Sequence, residues 1–114
     1  MWGTNNQQNQ EKYYPVEKEQ VFAALSEVVK KGFKVKEVDD FTLSINFSSG
    51  ASAFTWGENF SAQVVPKDSG CVVEIYGVGK VGGHVQQSTR TNKLINQIFT
   101  EITNKLKSEI QEFQ

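Results

Sequence analysis

The chain has one cysteine, Cys71, and one histidine, His84, in 114 residues. A lone thiol cannot close an internal disulfide, and with a single imidazole it falls short of a structural zinc set. No metal site and no cofactor are expected. The same shortage removes the commonest nucleophile–base pairs. Cys71 lies in a strand pattern well away from His84, no Gly-x-Ser-x-Gly elbow occurs, and no His-Glu-x-x-His spacing occurs. The chain is therefore not expected to be an enzyme. Cys71 falls on an inward strand position, where a buried, inert thiol is the ordinary outcome.

Strong charge of one sign is also missing. The net charge is −1, with lysines and glutamates interspersed, so there is no global field to draw in a phosphate backbone and no nucleic-acid partner is expected. No apolar run is long enough to span a bilayer. Residues 1–12, MWGTNNQQNQEK, contain no apolar leader segment, and a cytoplasmic location is the default expectation. That Asn/Gln-rich stretch cannot bury enough surface to offset ordering entropy, so it is read as a flexible polar tail on a single domain spanning 13–114.

What the chain does have is rings and periodicity. Eight Phe and two Trp in 114 residues predict an aromatic core. Val21, Phe22, Leu25, Val28 and Val29 form one stripe of a helix over about Pro15–Lys31, with proline in its first turn and Gly32 as a left-handed stop. Four strand patterns follow, over about Phe33–Val38, Phe41–Ser48, Ala53–Val65 and Cys71–Lys80. The second alternates cleanly, with Phe41, Leu43, Ile45 and Phe47 inward. Leu94, Ile95, Ile98, Phe99, Ile102, Leu106, Ile110 and Phe113 mark one face of a long last helix from about Ser88, with Ser88 or Thr89 as N-cap. Consecutive hairpins leave one apolar sheet face, which both helices must cover. The expected fold is α+β, a two-layer sandwich in the order α-β-β-β-β-α, with a four-stranded antiparallel meander.

Strict alternation puts Glu58 in phase with Phe54, Trp56 and Phe60. An unpaired charge there is costly. Either a β-bulge at Gly57 turns the carboxylate outward, which is the expectation, or Glu58 is buried with a partner. Gly77-Val78-Gly79-Lys80-Val81-Gly82 fits G-x-G-x-x-G, but the strand–helix–parallel-strand unit that a dinucleotide needs is not legible here. These glycines instead let the fourth strand bend and the last helix come close, or leave room for a ligand. Arg90 and Lys93 sit in the first turns of the last helix, against its dipole; a solvated face is expected, an anionic partner being the alternative.

Phe54 to Val65, with its Trp56-Gly57-Glu58, and Arg90 to Ile98, with Asn92 and Asn96, together resemble a set of small bacterial domains of uncharacterised function. In that set a Trp-Gly-Glu strand precedes a final helix opening on Asn-Lys. The likeness extends over most of the chain after Tyr14. The architecture is similar to helix-grip folds, of which START and Bet v 1-like lipid-binding domains are larger members. The resemblance implies a fold and attaches no catalytic role to these residues.

Two functions fit this reading. One is non-catalytic binding of a small hydrophobic or amphipathic ligand between sheet and last helix, lined by Phe47, Phe54, Trp56, Phe60 and Ile75 beside the Gly77/Gly79 gap, with Glu58 or His84 near the mouth. The other is a solid-core interaction or oligomerisation module, with a weak homodimer through the C-terminal helix, where Ile110 and Phe113 overhang the sheet.

Overall fold

The computed structural model describes residues 7–50, 57–79 and 85–111. Phe54, Trp56 and His84 lie outside them, as do residues 1–6 of the expected tail. The elements are β1 (Gln7–Tyr14), α1 (Lys18–Gly32), β2 (Lys34–Asp39), β3 (Ser44–Ser48), β4 (Glu58–Lys67), β5 (Gly70–Gly79) and α2 (Val85–Gln111). The strands form one antiparallel sheet in the order β1-β5-β4-β3-β2. The class is α+β, as the patterning predicts, but the sheet has five strands and the order is β-α-β-β-β-β-α.

The extra strand comes from the polar stretch read as a tail. Its composition carries no apolar alternation, so only tertiary partners reveal it. β5 would otherwise present an unpaired edge, and β1 fills it in register from Gln7↔Val78 to Tyr14↔Cys71. Tyr14 anchors the strand inward: it is buried, and its hydroxyl lies 3.3 Å from the Phe99 carbonyl, to which it donates, and 3.1 Å from Thr103 Oγ1. Gln10 Nε2 donates to Asn92 Oδ1 of α2 at 2.9 Å.

Other boundaries differ for local reasons. α1 starts at Lys18, after Pro15, and runs through Gly32 rather than stopping there in a left-handed turn; its cap is Phe33 in extended backbone, whose N–H reaches the Val29 carbonyl. β3 starts at Ser44 because Asp39 Oδ1 accepts the N–H groups of Phe41 (2.9 Å) and Thr42 (3.2 Å), folding residues 39–42 into an Asx turn. Phe41, expected inward, is therefore 95% exposed, and Leu43 sits at φ 57°, half-buried against the core. Those two N–H groups, Thr42 foremost, hold the Asp39 carboxyl below its usual range. α2 begins at Val85, so Ser88 and Thr89 lie inside the helix rather than capping it.

The core sits between one sheet face and the two helices. Ile45, Phe47, Phe60, Ala62, Val64, Val73 and Ile75 rise from the sheet to meet Val21, Phe22, Leu25 and Val29 of α1 and Ile95, Ile98, Ile102 and Leu106 of α2. α1 packs chiefly over β4, β2 and β3, and α2 over β5 and β1. Each large side chain so buried contributes about 1.5–3 kcal/mol.

Candidate binding site

Glu58 opens β4 and is fully buried, with 0% exposure. It is not turned outward. Gly57 does take the backbone freedom that position offers, at φ 95°, but the carboxylate that follows stays inside because Ser49 and Arg90 receive it. Ser49 Oγ donates to Glu58 Oε1. Arg90 Nε donates to Oε2 at 3.0 Å and faces Oε1 at 3.4 Å. In return the Glu58 N–H donates to Ser49 Oγ at 2.9 Å, and the Ser49 N–H to the Glu58 carbonyl at 3.0 Å. The buried carboxylate thus clamps together the two ends of the β3–β4 connection and ties both to α2. Arg90 is not merely a solvated cation. Its unfavourable place near the start of a helix is explained by the anion beneath it.

Of the proposed ligand-lining residues, Phe47, Phe60 and Ile75 are buried core. Phe33 packs edge-on against Phe47 (5.0 Å between centroids) and Phe60 (5.7 Å), and Phe47 stacks on Phe60 at 5.1 Å. The three rings fill the space over the centre of the sheet. The gap at Gly77 is filled as well. A Cβ placed there would lie 2.8 Å from both the Phe60 ring and the Thr91 methyl, so glycine here serves the close approach of α2. Gly79 pairs with Glu58 across β4 and β5. Cys71 is buried, its thiol pushed up by desolvation and 3.5 Å from the Val16 carbonyl.

Open space lies instead at the helix-covered end of the molecule. A pocket of about 250 Å³ is lined by Val28, Gly32, Phe33, Ser49, Gly50, Arg90, Leu94, Gln97, Ile98 and Glu101. Val28, Phe33, Leu94 and Ile98 form apolar walls; Ser49, Arg90 and Gln97 bring polar atoms to one region. Among the described residues, none of those singled out from the sequence for ligand contact lines this pocket; Glu58 touches two that do, Ser49 and Arg90. The walls were missed because Val28, Leu94 and Ile98 read simply as helix core positions. Arg90 alone carried a signal, its charge set against the helix dipole. Two larger, more open clefts, of about 500 Å³ and about 540 Å³, lie between β1 and α2, lined by Gln10, Phe99 and Asn104 among others, and between α1 and α2, beside Glu27, Lys105 and Glu109. Among the described residues no group of His, Cys, Asp and Glu could hold a metal ion, and no helix is long and apolar enough to cross a membrane.

This architecture, an antiparallel sheet with a long C-terminal helix packed on it, is helix-grip-like. The chain superposes on the crystal structure of Ara h 8.0201 with a TM-score of 0.70 at 10% identity, covering 90% of this chain and 97% of that one. It is similar to the di-domain ARO/CYC BexL from the BE-7585A biosynthetic pathway (TM-score 0.63, 11% identity), covering 92% of this chain and 46% of that one. It is also similar to an uncharacterised protein from Bacillus thuringiensis (TM-score 0.59, 11% identity), covering 86% and 93%. No protein-family model and no curated protein matches the sequence. At these identities the likeness is one of fold.

Proposed function

We propose that the chain is a non-catalytic binding domain that holds a small, mostly apolar ligand with one polar end. The seat is the pocket between the end of α1, the β3–β4 connection and α2. The observation that carries this reading is the pocket's make-up: apolar walls from Val28, Phe33, Leu94 and Ile98 around a polar end at Ser49, Arg90 and Gln97, the composition of small-molecule sites in general. Its volume of about 250 Å³ suits a ligand of one or two rings. A Bet v 1-like fold, typically built around a hydrophobic-ligand cavity, supports the same reading. The pairing of Glu58 with Arg90 favours a scaffolding role for the carboxylate over proton transfer.

The test is a titration of the isotope-labelled chain with small bicyclic aromatics, followed by amide shifts. Saturable shifts at Gly50, Leu94 and Ile98 are expected. A titration that leaves these amides unmoved removes the proposal.

A second reading, self-association through α2, draws on Ile110, an apolar side chain 42% exposed near the end of that helix. Sedimentation over a wide concentration range checks it; a strict monomer rules it out.

A further inference from the structure

The cation at the polar end of this pocket is already paired before any ligand enters. Glu58 lies directly under Arg90, with no exposure of its own, and their contact runs through Nε. The η nitrogens of Arg90 are not spent on Glu58, and 37% of the side chain remains exposed where it lines the pocket. Glu101, exposed on the next turns of α2, lines the same pocket. The charged side chains among the described lining residues are Arg90 and Glu101, with Glu58 fixed below Arg90. The guanidinium offers rigidly held N–H donors, but its charge is already answered.

We infer that the pocket selects neutral hydrogen-bond acceptors, such as a ketone, an amide or a phenolic oxygen, and discriminates against carboxylates of the same shape. A neutral acceptor gains the η N–H groups at no electrostatic cost. A carboxylate would sit beside Arg90 with Glu58 and Glu101 close by, so like-charge repulsion from those two offsets its attraction to Arg90. This inference rests on the binding reading above and names the chemistry of the ligand's polar end.

Two bicyclic probes of matched shape, acetonaphthone and naphthoate, separate the possibilities when titrated into the full chain with amide shifts as readout. The ketone is expected to bind about tenfold more tightly than the carboxylate. Equal or tighter binding of naphthoate overturns the selectivity while leaving the pocket assignment standing. If neither probe moves Gly50, Leu94 or Ile98, both fall. Glu58→Gln removes the buried anion and should shift the affinity ratio toward naphthoate by about tenfold; an unchanged ratio in the folded variant overturns the inference. Should that variant not fold, Glu101→Gln alters only an exposed side chain. It should move the ratio the same way by about two- to threefold, and no movement again overturns the inference.

Discussion

At the scale of single residues, the Glu58–Arg90 pair is asymmetric, and its variants should show it. Arg90 can turn to water when its partner is lost, whereas Glu58 cannot. Arg90→Ala takes the ion-pair partner from a buried carboxylate and should cost about 3–5 kcal/mol. Glu58→Gln keeps the shape and part of the bonding to Ser49 and should cost only about 1–2 kcal/mol. Urea denaturation of the two variants measures the difference; equal costs would show that Arg90 contributes nothing to holding the carboxylate. Gly77→Ala puts a methyl against Phe60 and Thr91 and should cost about 1–3 kcal/mol by overpacking, read from the same denaturation curves. The in-phase position of Glu58 was legible from every-other-residue alternation, but the expectation that Gly57 turns it outward failed, since the carboxylate is fully buried. Its partners were not legible, because Ser49 lies across the β3–β4 connection and Arg90 on a distant helix, and only the fold brings them together. Phe41 shows the opposite failure: its alternation was sound, but Asp39 captured two backbone N–H groups and took the residue out of the strand before the pattern could act.

At the scale of elements, the helices and strands β3, β4 and β5 were legible because each buries one face of a regular period. β1 was not, since its main contribution is a ladder of backbone bonds to β5, to which side-chain patterning is blind. Its anchor gives a pH signature. Burial raises the Tyr14 hydroxyl above its ordinary pKa of 10.0, with the bond to Thr103 opposing. A group raised on folding stabilises fully below its unfolded pKa, and that contribution is lost as pH rises through the folded value. Thermal stability should therefore fall above about pH 10, and Tyr14→Phe should flatten that fall while costing about 1 kcal/mol at neutral pH through the lost hydroxyl bonds. A pH profile unaltered by Tyr14→Phe would contradict this. The link between helices is weaker. Lys105 reaches Glu27 of α1 and Glu109 of its own helix, but these are exposed pairs, and Lys105→Ala should cost less than about 1 kcal/mol.

For the molecule as a whole, stability should be graded across the sheet. β4 and β5 are each paired on both sides, while β2 is an outer strand, mostly exposed and irregular between Val35 and Glu37. Hydrogen exchange should therefore be slowest in β4 and β5 and fastest in β2; early exchange at Val64 or Val73 would contradict the arrangement.

The position of β1 carries a further consequence for how the molecule behaves in company. Both rims of the sheet are polar strands, and the β2 rim bears Lys34 and Lys36 beside its irregularity, features that discourage accretion of foreign chains. Beneath β1 lies Cys71-Val72-Val73-Glu74-Ile75-Tyr76, a far stickier segment. Stripping the first fourteen residues would bare that segment as a template, and the shortened chain should seed fibrils that the full one does not.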